Sequence, residues 1–306
     1  MAILKGQNLR ILASGLDGSD MAVIGMATNC TVTLTNNTDD ASTKDDVGNA
    51  AKPEVVSNAW SVQVDSLNVA NVASLLGIVK GMSKILLMWD EVGTTDNQTP
   101  VASTAFARQG YAYLSDATFT FNNRENSAKS LQFTGASELT TVPTSGQAYE
   151  VLDPGSYTKG QFVRLFLGSD NTTTPAKVIG SATQLQFHVS LQMESASTKD
   201  TTGTFDVQEP VGLSYDITSN ALVRGGDTIT SAVQAQGLSE LEAIYEAGTP
   251  VKFQIANASG ANQRTKGAVI VSGSVILTQL TINAPNRQNA TYDAQFNGWG
   301  AYTVGA

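Results

Sequence analysis

The chain contains itself twice, and that repetition restricts its possible folds more than any other feature. Residues 23–48 read VIGMATNCTVTLTNNTDDASTKDDVG, and residues 178–203 read VIGSATQLQFHVSLQMESASTKDTTG. At a fixed offset of 155 they share 11 of 26 positions without a gap. Lys5-Gly6-Gln7 and Arg10 recur as Lys159-Gly160-Gln161 and Arg164, and Trp60-Ser61-Val62 recurs as Tyr215-Asp216-Ile217. Near the end of each copy Asn123-Arg124-Glu125-Asn126 meets Asn286-Arg287-Gln288-Asn289, and Gln132-Phe133-x-Gly135 meets Gln295-Phe296-x-Gly298. There the offset has grown to 163, so the second copy carries extra residues, placed best in Gly225–Gln236. Collinear matches over the whole length mark two copies of one folding unit. The expected domains are 1–150 and 151–306, divided within Ser137–Thr158, a stretch rich in Ser, Thr, Gly and Pro.

Composition supports two packed units and narrows what they do. Hydrophobic residues make up 41% of the 306, enough for real cores and far above the disordered range. Charged residues are only 15%, and the neutral polar residues that replace them suit sheets with many turns. The net charge is −9, and the halves hold 9 basic with 15 acidic and 9 basic with 12 acidic residues. Neither half is therefore a nucleic-acid module built on a Lys/Arg surface. Cys30 is the single cysteine, which excludes an internal disulfide and a thiolate metal cluster. It reads as a small structural residue in an alternating run. The first residues lack a signal-peptide pattern, and no apolar run approaches spanning length, so folding in the cytoplasm without a membrane is expected.

Alternation marks the strands. Val32 and Leu34 alternate with Thr31, Thr33 and Thr35; Leu185, Phe187, Val189 and Leu191 alternate with Gln186, His188 and Ser190. Trp60, Val62 and Val64, then Phe119 and Phe121, then Val251, Phe253 and Ile255 follow the same rule. One helix is expected per copy. Val69, Val72, Leu75, Leu76 and Val79 recur at helical spacing before Gly81, and Leu238, Leu241, Ile244 and Tyr245 recur before Gly248. The fold class is thus all-β with one helix per domain, as two tandem β-sandwich or barrel domains. Long connections are expected at Asn36–Asn58 and Glu194–Gly212, each carrying Ala-Ser-Thr-Lys-Asp. Connections of that length are usually functional.

The long loop after the second strand in TNCTVTLTNNTDDASTKDDVG, the Trp-centred strand that follows, and the single helix on a β-sandwich resemble the major tail tube proteins of long-tailed bacteriophages. The likeness is clearest over residues 23–67 and 178–222. It implies a structural virion protein of the tail, assembled in the host cytoplasm into stacked rings that conduct genomic DNA without binding it specifically. Other tail proteins are implied as partners. Two domains per chain imply a trimer forming a pseudo-hexameric ring, or a hexamer. The resemblance implies inter-ring or inter-subunit contacts by the loop residues Asp39, Asp40, Ser42, Thr43, Lys44, Asp45 and Asp46, with Ser197, Thr198, Lys199 and Asp200 in the second copy. It also implies a lumen lined by Thr31, Thr33, Thr35, Gln186, His188 and Ser190, uncharged or nearly so at neutral pH. A collar or completion ring of the same fold, and a carbohydrate-binding or adhesin pair, are the alternatives.

No constellation points to catalysis, and no cofactor is expected. His188 is the sole histidine, and Thr33 replaces it in the first copy, so a duplicated triad would have lost its base. Asp39, Asp40, Asp45 and Asp46 invite a Ca²⁺ reading, but the EF-hand spacing is absent and the second copy has Ser195 and Thr201 at two of those positions. Lys44 and Lys199, lone bases in acidic loops, suit an ion pair with a neighbour's acidic surface.

Overall fold

A computed structural model describes residues 5–14, 21–45, 51–67, 72–93, 101, 107–141, 149–150, 158–200, 203–223, 235–259 and 264–305. It is an all-β structure with two α-helices. The first half runs β1 (Leu9–Ala13), β2 (Met21–Val23), β3 (Ala27–Asp40), β4 (Pro53–Ser66), α1 (Val72–Lys80), β5 (Lys84–Glu91), β6 (Arg108–Asn122), β7 (Ala128–Gly135), β8 (Thr140–Thr141) and β9 (Tyr149–Glu150). The second runs β10 (Val163–Leu167), β11 (Lys177–Ile179), β12 (Ala182–Ser195), β13 (Gln208–Leu222), β14 (Ala235–Gln236), α2 (Leu238–Ala247), β15 (Val251–Ser259), β16 (Thr265–Asn283) and β17 (Thr291–Val304).

The repeat recurs in fine backbone detail. The β3–β4 ladder slips register at Ala27/Asn29 and Asn37/Thr38, and the β12–β13 ladder slips at Ala182/Gln184 and Gln192/Met193. β6 bulges at Ser115 and β16 at Thr278, and each bulged hydroxyl donates across to β7 or β17, to Gln132 O and Gln295 O. Left-handed φ angles fall on Met26 and Ser181, then on Arg124 and Arg287. A bulge bends a strand and changes its neighbours. Here it is the point where β6 leaves β5 and takes up β12.

Alternation determines which face each strand buries. Val62, Val64, Phe119, Phe133, Phe187, Ile217 and Phe296 all point inward and are fully or nearly fully buried. Large rings need room on a sheet this crowded. A Cβ on Gly135 would sit 2.5 Å from the Trp60 ring, and one on Gly298 would sit 2.6 Å from Tyr215, so glycine is required under both aromatics.

Two expectations change. The connections Asn36–Asn58 and Glu194–Gly212 are largely strand: β3 and β4 stay paired out to Asp40–Pro53, and β12 and β13 out to Ser195–Gln208. Exposed polar arms lack apolar alternation, so they read as loops, yet backbone pairing carries them on. Helix α1 ends at Lys80, and Met82 rather than Gly81 takes the left-handed conformation; α2 does close on Gly248 at φ 59°. Val69 and most of Ser137–Thr158 and Gly225–Gln236 lie outside the described residues.

The two halves are zipped together. β12 pairs antiparallel with the C-terminal part of β6, from Gln184 opposite Asn122 to Ser190 opposite Asp116. This joins two four-stranded sheets into one run ordered β3-β4-β7-β6-β12-β13-β17-β16.

Candidate functional site

The eight-stranded run has two unlike faces. Its inner face is the apolar core. Its other face is polar on every strand: Thr31 and Thr33 on β3, Ser61 and Gln63 on β4, Gln132 and Thr134 on β7 are partly or fully exposed. Across the junction Thr118 and Thr120 on β6, Gln186 and Ser190 on β12, and Thr218 on β13 continue it, and Gln295 and Thr281 complete it on β17 and β16. The six lumen candidates Thr31, Thr33, Thr35, Gln186, His188 and Ser190 all lie on this face, by strand parity. It also carries the acids Asp65, Asp116, Asp216 and Asp293.

His188 is a charged clasp and not a nearly neutral lining residue. Its Nδ1–H donates to Asp216 Oδ1 and its Nε2–H to Asp116 Oδ2, both at 2.6 Å. The hydrogen bond to Asp116, then that to Asp216, raises its pKa from 6.5 to about 10 against the opposing cost of burial. At neutral pH it is an imidazolium with both N–H groups committed. It therefore has no lone pair to act as a base. The clasp spans β6, β12 and β13 and fastens the junction between the halves. Sequence spacing hides it, because Asp116 lies 72 residues away and Asp216 lies 28 away.

The loop candidates divide by role. Ser42 and Ser197 close the necks of the two arms: Lys52 N–H donates to Ser42 Oγ and Val207 N–H to Ser197 Oγ, each at 3.0 Å. Asp40 accepts from the hydroxyl and backbone of Ser42, which lowers its pKa. Asp200 N–H donates to Thr198 Oγ1. Thus part of the repeated Ala-Ser-Thr-Lys-Asp has a local structural task. Asp39, Thr43, Lys44, Asp45 and Lys199 are exposed on the arms and their turns, and Asp46 lies outside the described residues. Beyond its turn, the second arm lies sideways on the first half. Asn58 N–H donates to Thr204 O, Asp206 N–H donates to Asn58 O, and Phe205 is buried beside them.

The ends of the run are open. Among the described residues β3 pairs with β4 alone, and the stretch Gln279–Asn283 of β16 pairs with β17 alone. An unpaired edge presents a row of backbone donors and acceptors. Leu34 is 67% exposed and Ile282 48%, while their repeat counterparts Val189 and Phe119 are fully buried at the internal junction. Among the described residues no cluster of three or more His, Cys, Asp or Glu is arranged to hold a metal, and no helix is long and apolar enough to cross a membrane.

No protein-family model and no curated protein matches the chain. Among solved structures it is similar to a chain in the tail of an empty GTA particle refined with C6 symmetry, at 15% identity and a TM-score of 0.34, covering 48% of this chain and 96% of that one. A chain in the virion of a native gene transfer agent particle gives 14%, 0.35, 49% and 99%. The SPP1 tail tube gives 13%, 0.36, 48% and 78%.

Proposed function

We propose that the chain is a structural subunit of a phage-type tail tube, whose rings stack into a conduit for DNA. The observation that carries this reading is the eight-stranded run with one largely polar face and two edges, β3 and the end of β16, that are unpaired among the described residues and match the β12 and β6 edges joined inside the chain. Edges of different identity joined head to tail make a heterologous contact, which closes into a ring when the rotation per subunit closes. The apolar face is already covered by the chain's own core, so the polar face is the one free to line an opening. The acids on that face lie among neutral side chains, and His188 is held between two of them. Five of the six lining positions are neutral and the His188 imidazolium is already held by two carboxylates, so a phosphate backbone finds no uncompensated cation there and slides.

In this reading the chain has two domains, near 1–150 and 151–306. Three chains supply six repeats per ring, and the subunit is not an enzyme. The exposed arm residues Lys44 and Lys199 are then placed to meet other rings or other tail proteins. Electron micrographs of the purified protein test the proposal. Rings that stack into hollow tubes are expected; isolated rings that never stack favour a collar ring, and monodisperse monomers at high concentration contradict the reading.

A further inference from the structure

The internal junction between the halves is a built example of how one copy of the repeat receives the next. It has three parts. The edge of β12 pairs with β6 from Leu185 opposite Phe121 to Ser190 opposite Asp116. The start of the second half presses on the β6–β7 turn, where a Cβ on Gly160 would collide with Asn122 backbone atoms, and Gly160 N–H donates to Glu125 O. Helix α1 of the first half seats on the second, where the buried Tyr302 hydroxyl donates to Leu76 O at 2.7 Å.

Each part has an empty counterpart at the chain's outer ends. The edge of β3 is unpaired among the described residues, and so is that of β16 beyond its bulge. A Cβ on Gly6, the counterpart of Gly160, meets nothing within 4 Å among the described residues. Where α1 seats on Tyr302, whose ring packs on Tyr215, the counterparts of these two residues, Leu139 and Trp60, border an open cleft of about 390 Å³, with Leu34, Asn58 and Phe205 on its walls. Helix α2 leaves Tyr245 53% exposed on its outer side.

We infer that a second copy of this chain fills all three vacancies at once, its α2 seated in the Leu34–Trp60–Leu139 cleft and its β16 edge paired with β3. This joint rests on the ring reading. The two repeat offsets turn the internal register into the intermolecular one. Cys30 lies opposite Ala284 of the neighbouring copy, Val32 opposite its Ile282, Leu34 opposite its Leu280, and Thr33 opposite its Thr281. The apolar pairs fall on the core side and the threonines on the polar face, as parity demands. The charged clasp is not repeated there. The positions of Asp116, His188 and Asp216 are taken by Gln279, Thr33 and Ser61. The contact between chains is therefore neutral, and the one within the chain is ionic.

The native Cys30 supplies the probe, because the chain has no other cysteine. Under mild oxidation Ala284→Cys should link chain to chain through Cys30, giving a reducible ladder on denaturing gels. Thr281→Cys, on the opposite face, and Ile282→Cys, two residues out of register, should stay unlinked in the same assemblies. Tyr245→Asp should leave a folded chain with its thermal midpoint intact and strip it of the ladder in the Ala284→Cys background. Rings seen in micrographs together with no Ala284→Cys linkage, or with linkage from Ile282→Cys instead, would overturn this interface and leave the ring reading standing. A chain that neither links nor forms rings would overturn both.

Discussion

Strand β6 meets β12 inside the chain, while the edges of β16 and β3 that correspond to them meet nothing among the described residues. The two places share bulges, register slips and left-handed residues, so backbone geometry does not distinguish them. Side chains do. Phe119, Phe121 and Phe187 fill the closed junction, and Ile282, Ala284 and Val32 stand at the open one. A joint made once at folding tolerates large buried rings. In the proposed ring the open joint stays soluble until a partner arrives, which suits its smaller apolar groups among threonines and asparagines; one copy of the contact is then permanent core and the other a surface.

Substitutions at paired positions probe that contrast. Phe187→Ala removes a fully buried ring packed against Tyr215, Phe253 and Tyr302. It should cost about 3–5 kcal/mol in denaturant unfolding, whereas Val32→Ala at the matching open position should cost under about 1 kcal/mol in the isolated chain. Equal losses at the two sites would remove the distinction. Gly160→Ala drives a methyl into the Asn122 backbone and should cost about 1–3 kcal/mol. Gly6→Ala should be neutral to within about 0.5 kcal/mol in the free chain and should impair only assembly.

His188→Gln should lower stability by about 1–2 kcal/mol near neutral pH, reduced from the buried ionic value because the clasp is partly solvated. The folded pKa near 10 lies above the unfolded value near 6.5. The clasp's contribution is therefore complete below about pH 6.5 and lost as pH rises through about 10. A wild-type profile flat from pH 7 to 11, or one matching His188→Gln throughout, contradicts this. The smallest effect is expected at the arm turns: Lys44→Glu with Lys199→Glu should shift the thermal midpoint of the free chain by no more than a degree or two, consistent with about 0.5 kcal/mol for exposed sites. Any larger change should appear in ring stacking.

Much of this architecture is legible in the residues. Period-two runs such as Leu185–Met193 and Val251–Ile255 predict strands and their buried faces, and the repeat predicts matching loops. The arms escape the pattern because Asn36–Asp40 and Pro53–Asn58 show no apolar face, and backbone pairing leaves no mark on side-chain alternation. The clasp is out of reach because it depends on β6, β12 and β13 lying side by side, a tertiary fact. The open edges are equally hidden: Leu34 and Val189 read alike as inward residues, and only the neighbour that covers one of them makes the difference.

Amide hydrogen exchange on assembled and dissociated protein reads both edges at once. Peptides covering Cys30–Thr35 and Gln279–Asn283 should gain protection together on assembly, while Asp116–Asn122 and Gln184–Ser190 stay protected in both states. Assembled particles in which those two edges exchange as fast as in the free chain would contradict a ring closed by β3 and β16.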